Sequence, residues 1–321
     1  SSILLLVVAG SPPWSIFSTP LYRRMVAHPP GPGFLRQAPS VIIVIFFTVN
    51  SLLEVTGDLL HYLSMTQTDT FSQLFHGDCL SIMKALPDGS VDLILADLPY
   101  GTTELSWDSI IPLEALWAEY WRVLKPKNAV VLFGCEPFSS LLRMSQIKAY
   151  RYDFVWVKNG VTGFPNAKHR PLKQSERISV FSKGLARPNA GDKAMPYNPQ
   201  GLTTIQKTVK NSNVERSTWC TRPNHRPPSY TQTQTGYPRD VLFYNRETGL
   251  HPTQKPVLLL EYLIKTYSSQ SEVVLDNCMG SGSAGVAAHN TGRSFVGIEQ
   301  DETYFKLASD RIRENHLRRS A

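Results

Sequence analysis

The stretch from Glu272 to Gly285 constrains the fold more than any other part of the chain. Three apolar residues, Val273, Val274 and Leu275, run into Asp276. A turn rich in small residues, Gly280, Ser281, Gly282 and Ser283, then opens a helical pattern. Such a run reads as a buried strand, a tight turn and a helix start. Gly280, Gly282 and Gly285 satisfy G-x-G-x-x-G, and Glu299 ends the next apolar run nineteen residues after Gly280. Glycines let the backbone approach a ligand closely, and a carboxylate at the next strand end can hold a ribose diol. NAD, FAD and S-adenosylmethionine sites share this logic, and a strand-to-helix turn with no ligand also satisfies it. Asp276 favours S-adenosylmethionine, because a carboxylate suits its positive amino-acid end and would sit badly beside a pyrophosphate.

The same alternation extends over the chain from residue 71. Short β-branched runs predict strands at 73–76, 91–96, 129–133, 154–157, 178–181, 272–275 and 295–298. Helical periodicity falls at 112–124, 139–148, 256–267, 283–290 and 301–315. Strands alternating with helices predict an α/β fold with a largely parallel sheet. Residues 185–246 fit neither pattern. They are rich in Pro, Thr, Gln, Asn and Arg and read as a loop-rich insertion.

The first 64 residues differ from the rest, mixing short apolar runs with Pro-rich breaks such as His28 to Gly33. The charge-free stretch from Gln37 to Leu53 is at the lower edge of membrane-spanning length, and the opening run lacks a basic n-region. A membrane anchor and a targeting segment compete with a non-native or dispensable leader, and the leader is the expectation. The four cysteines, Cys79, Cys135, Cys220 and Cys278, lie more than fifty residues apart. That spacing excludes a zinc ribbon, and scattered thiols suit a reducing, cytoplasmic compartment.

Charge is distributed unevenly. The net +7 of the whole chain arises from residues 158–246, where fifteen basic groups face four acidic ones, a net +11. A block this lopsided reads as a surface for a polyanion, most simply a phosphate backbone.

A second constellation lies at Val91 to Gly101. An apolar run delivers Asp97, Leu98, Pro99 and Tyr100 to a strand's carboxyl end, where open α/β sheets bind ligands. Asp97 and the Leu98 carbonyl can both accept from an exocyclic amine, and Tyr100 can stack on a base drawn out of a duplex. A plain turn with a surface Asp and a packing Tyr is the alternative.

Together the two constellations resemble the DNA amino-methyltransferases that act on adenine N6 or cytosine N4. Asp97 to Tyr100 is similar to their catalytic Asp-Pro-Pro-Tyr, and Asp276 to Gly282 to their donor motif Asp-Pro-Phe-x-Gly-Ser-Gly. The catalytic motif precedes the donor motif with the basic block between them, the order of the permuted beta group. His76 to Leu80, His251 to Pro256, Trp156 to Lys158 and Arg170 to Glu176 match further motifs, so the resemblance covers roughly 71–316. Leu98 replaces the usual Pro, Asn277 and Cys278 replace Pro-Phe, and Ser283 and Ala284 replace the usual threonines.

The resemblance implies a Rossmann-like, S-adenosylmethionine-dependent methyltransferase sheet with helices on both faces and an inserted DNA-recognition segment. It divides the chain into the leader (1–64), a catalytic half (65–184), a target-recognition insertion (185–246) and a donor-binding half (247–321). Asp97, Leu98, Pro99 and Tyr100 become catalytic residues. The donor falls to Asp78 and Cys79, to Lys255 on the capping helix, to Asp276, Cys278, Gly280, Ser281 and Gly282, and to Glu299 for the ribose. No metal is implied. His76 and His251 read as capping or packing residues, and Trp107, Trp117 and Trp121 as core or helix-face aromatics. Cytosine C5 chemistry would need a nucleophilic thiolate in a Pro-Cys motif, whereas Cys135 follows Gly134. Partners expected are double-stranded DNA, a second copy of the chain and a cognate restriction nuclease. Adenine N6 is preferred, because cytosine-N4 enzymes often carry Ser where this chain has Asp97. Cytosine N4 and a non-catalytic DNA-binding protein of the same fold stay open.

Overall fold

The computed structural model describes residues 66–68, 72–101, 109–210, 229–247, 249 and 254–320, all within one unit spanning Met65–Ala321. The leader, Trp107, Cys220 and His251 lie outside the described residues.

β3 (Val91–Ala96) shows how the sequence builds the sheet. All six of its residues are buried, and from Leu93 onward, past an irregularity after Val91, the two-residue period divides them between two cores. Leu93 and Leu95 enter one core, and Val91, Ile94 and Ala96 enter the other. β4 (Leu124–Gly134) divides likewise, with Ala129, Val131 and Phe133 opposed to Val130 and Leu132. Strands apolar on both sides must be covered on both sides. α1 (Cys79–Ala85), α2 (Leu113–Val123) and α3 (Phe138–Ser145) close the second core through Met83, Tyr120 and Phe138. α4 (Val257–Tyr267), α5 (Ser283–Asn290) and α6 (Glu302–Ser320) close the first through Leu263, Ala287 and Ala308.

Next to β3 on its other side runs β10 (Val273–Asp276), then β11 (Ser294–Glu299), then β2 (Ser72–His76), all parallel. β1 (Thr66–Thr68) closes that edge antiparallel. Beyond β4 lie β6 (Lys173–Ser182) and β5 (Tyr150–Thr162), an antiparallel hairpin, and then β9 (Val241–Phe243), parallel to β5. The crossover β10–α5–β11 steps one way from the sheet's middle and β3–α2–β4 steps the other. Right-handed crossovers in opposite directions put their helices on opposite faces, as found here. Strand order therefore reverses between β10 and β3. Open sheets bind ligands at the carboxyl ends of such a pair, and these two ends are Asp276 and Asp97.

The loop-rich expectation for 185–246 is corrected by β9 and by a separate two-stranded ribbon, β7 (Thr203–Lys210) with β8 (Ser229–Thr235). β8 alternates Thr with Gln, and β7 has just two apolar residues, Ile205 and Val209, four apart, so the ribbon gives too little apolar alternation to read as strands. α1 is a second departure from the helices expected. It is only seven residues long and starts from the carboxylate cap of Asp78. No helix among the described residues is long and apolar enough to cross a membrane.

Candidate active site

A cavity of about 570 Å³ opens at the reversal point, lined by the ends of β2, β3, β10 and β11. That volume is in the range of small-molecule sites, roughly 300–1,000 Å³. Asp78, Cys79, Asp97, Leu98, Pro99, Tyr100, Lys255, Asp276, Cys278, Gly280, Ser281 and Glu299 all line it. Gly282 alone among the expected site residues stands behind the wall. Its φ is +75°, and an added Cβ would come within 3.0 Å of the Ala308 Cβ. Its part is to let the turn fold tightly under α6.

Asp97 is the first residue past β3, and both its carboxylate oxygens have partners. The Tyr100 hydroxyl donates to Oδ1 and the Lys255 ammonium to Oδ2. Lys255 is 7% exposed, and its Nζ also lies 3.5 Å from Glu176 Oε2. Glu176 in turn pairs with Lys158. Burial pulls the Lys255 pKa down, but Asp97 and Glu176 outweigh it and hold the ammonium above the ordinary lysine value. Burial likewise opposes ionisation of Glu176, and Lys255 and Lys158 reverse that, lowering its pKa. The result is a row of alternating charges, Asp97, Lys255, Glu176 and Lys158, leading away from the cavity. Burial first, and then the nearby Asp97 and Glu176 charges, keep the Tyr100 hydroxyl protonated. The Tyr100 ring lies 5.2 Å from that of Phe138 at an interplanar angle of 29°. The Leu98 side chain is buried in the second core, anchoring the motif from below.

The opposite wall is acidic. Asp276 is buried, and desolvation raises its pKa to about 8 despite the Cys278 N–H that donates to it at 3.0 Å. Asp97 and Glu299 add to the rise. Glu299 accepts from the Gly280 N–H at 2.8 Å and the Asp301 N–H at 2.9 Å, while burial raises its pKa. Gly280 has φ +50°, so the turn that aims this N–H at Glu299 favours glycine. Asp78 caps α1, accepting from Ser81 N at 2.8 Å and Ser81 Oγ at 2.7 Å. Buried Asn277, in place of the family's Pro, accepts from Tyr120 Oη at 2.5 Å and so ties the β10–α5 turn to α2 across the reversal point.

Five acidic side chains (Asp78, Asp97, Asp276, Glu299 and Asp301) and one ammonium (Lys255) line the cavity, Asp276 holding its proton through burial. A polyphosphate would be repelled here, whereas a ligand carrying positive charge is attracted. The donor set thus fits a sulfonium ligand with an amino-acid end and does not fit a dinucleotide. No group of three or more metal-ligating side chains occurs among the described residues.

A family model described as DNA methylase, for enzymes of the N6 and N4 type, matches residues 91–310. The chain belongs to this family. It is 30% identical over 256 residues to DNA adenine methyltransferase YhdJ of Escherichia coli (strain K12), covering 74% of this chain and 82% of that one. It is 25% identical over 250 residues to type II methyltransferase M.HpaI of Haemophilus parainfluenzae, covering 75% and 74%. Among solved structures, the cytosine-N4-specific PvuII DNA methyltransferase matches with a TM-score of 0.51 and 14% identity, covering 78% of this chain and 93% of that one. At that identity the likeness is one of fold.

Several residues of this methylase's site carry no mark in the sequence. Phe138 and Tyr120 meet the motifs only through space, and nothing in their local sequence singles them out; Asn277 stands inside the donor motif, but its bond to Tyr120 is not written there. The resemblance puts Lys255 on the helix capping the donor, but it precedes α4 and reaches across to Asp97. Trp117 is core, as expected, and Trp121 stacks on it at 5.4 Å. His76 reaches the Gln300 carbonyl through Nε2 at 3.1 Å, a packing position.

Proposed function

We propose that this DNA methylase transfers a methyl group to adenine N6 in double-stranded DNA, with S-adenosylmethionine as donor. The observation that carries the proposal is the pair of strand ends at the reversal point. Asp97, paired with Lys255, faces an acidic wall built from Asp276 and Glu299. When bound, S-adenosylmethionine supplies an electrophilic methyl group. Asp276 and the Gly280 turn would hold its amino-acid end, Glu299 its ribose and Asp78 its adenine. Glu299 uses one lone pair on each oxygen for backbone N–H groups, which leaves acceptor capacity for a diol.

On the other side of the cavity, Asp97 accepts a hydrogen bond from the target amine. The amine nitrogen gains positive charge in the transition state, and a fixed carboxylate is worth more there than in the ground state. Lys255 pairs with Asp97 and fixes the plane of its carboxyl group. Tyr100 offers its ring to the flipped base, and its hydroxyl holds Asp97 from the other side. The adenine assignment is supported by an Asp at position 97 and by the adenine methyltransferase among the relatives. Residues 185–246, with the lysines and arginines flanking them, supply DNA recognition in this reading. Their net charge and a ribbon solvated on both faces support it. A restriction–modification setting, with a cognate nuclease and a cytoplasmic location on DNA, belongs to the same proposal, since M.HpaI is a type II methyltransferase.

The test is to incubate the protein with duplex DNA and methyl-labelled donor, digest the DNA and separate the nucleosides. Label in N6-methyldeoxyadenosine is the expected result. Label in N4-methyldeoxycytidine would overturn the base assignment, and DNA without label the activity.

A further inference from the structure

Strand direction puts one part of the basic block on the cavity's side of the sheet. β4 ends at the carboxyl edge at Gly134, opposite Arg177. β6 runs antiparallel to it, so Lys173–Glu176 lie beyond that edge, and β5 continues past Trp156 to meet them. The turn joining β5 to β6, residues 163–172, therefore projects from the edge that carries Asp97. Glu176, at the root of this hairpin, is the residue 3.5 Å from Lys255.

The hairpin is held firmly at its root. Lys158 pairs with Glu176, Trp156 Nε1 donates to the Tyr244 carbonyl at 2.9 Å, and Arg246 N donates to Asn159 Oδ1 at 3.0 Å. The tip is a wound turn. Asn166 N bonds Gly163 O at 2.9 Å, Ala167 N bonds Phe164 O at 3.0 Å and Arg170 N bonds Asn166 O at 3.0 Å. Phe164 stands on this turn with 64% of its surface exposed. Lys168, Arg170 and Lys173 are exposed around it, and no acidic residue occurs from Val157 to Ser175.

An exposed aromatic side chain on a braced, wholly basic projection is costly in water and complementary to a nucleic acid. Extruding a base leaves an apolar gap between the neighbouring pairs, and proteins fill such gaps with apolar wedges. We infer that Phe164 fills the space in the duplex vacated by the extruded target base, with Lys168, Arg170 and Lys173 holding the flanking phosphates. The inference rests on the DNA methylation reading above.

Sequencing plasmid DNA for modified bases after exposure to the wild-type protein gives the target site. Two duplexes are then made, one fully paired and one with an abasic position opposite the target base. Phe164→Ala should slow single-turnover methylation of the paired duplex about tenfold or more, because unpairing and unstacking a base costs a few kcal/mol. On the abasic duplex much of that cost is already met, and the variant should stay within about twofold of wild type. Phe164→Leu keeps an apolar wedge and should recover most of the paired rate. Donor affinity and the thermal midpoint should not move. An equal loss on both duplexes, or a paired rate close to wild type, would overturn the inference. Wild-type protein that methylates neither duplex would instead overturn the methylation reading, and the inference with it.

Discussion

Asp97 and Asp276 stand at adjacent strand ends in different surroundings. Asp97 has an ammonium on one oxygen, while Asp276 is buried without a cation of its own and has a pKa near 8. A carboxyl group with a raised pKa stays protonated in the fold where the unfolded chain has already ionised. Its contribution to stability is therefore complete below about pH 4 and is lost as pH rises towards 8. Asp276→Asn removes that slope. Urea unfolding of the donor-free protein should show the variant gaining on wild type between pH 5 and pH 8, and a constant difference would contradict the assignment. Asp97, Tyr100, Asp276 and Glu299 are legible in the sequence because strand ends and their turns lie close together along the chain. The ion pair of Lys255 with Asp97 is not, since it joins residues whose meeting depends on the whole sheet.

At the level of elements, the strands of the parallel sheet are legible because both their faces are apolar, and α2, α4 and α5 because their periodicity runs for two turns or more. The ribbon of β7 and β8 and the short α1 are hidden for different reasons, one having too few apolar residues to show an alternation and the other being too short for a period to show. α1 also changes what Asp78 means. Read from the resemblance, it contacts the donor; in the fold, its carboxylate caps α1. Asp78→Ala should cost about 1 kcal/mol of stability by removing the cap. Asp78→Ser, which restores a capping oxygen, separates the two roles. If Asp78 contacts the donor, the Ser variant should recover its thermal midpoint but not its donor affinity. Recovery of both would make Asp78 a capping residue alone.

Across the whole molecule, the reversal of strand order puts the two motifs, far apart in sequence, on either side of one cavity. The charge segregation visible in sequence has a structural counterpart: acidic groups line the cavity, while exposed basic groups crown the β5–β6 hairpin. DNA affinity should accordingly fall steeply with salt. Replacing Lys168, Arg170 and Lys173 together with Gln should flatten the log–log salt slope by roughly 2–3, at about 0.9 for each phosphate that is no longer neutralised. An unchanged slope would remove these residues from the interface. The central claim is that Asp97 stabilises the charge growing on the target amine. Asp97→Ala should reduce the single-turnover rate of methyl transfer by about 10²–10³, the usual loss for one preorganised partner. Donor affinity measured by calorimetry on the same preparation should remain near that of wild type. Methyl transfer by Asp97→Ala at close to the wild-type rate would contradict the account.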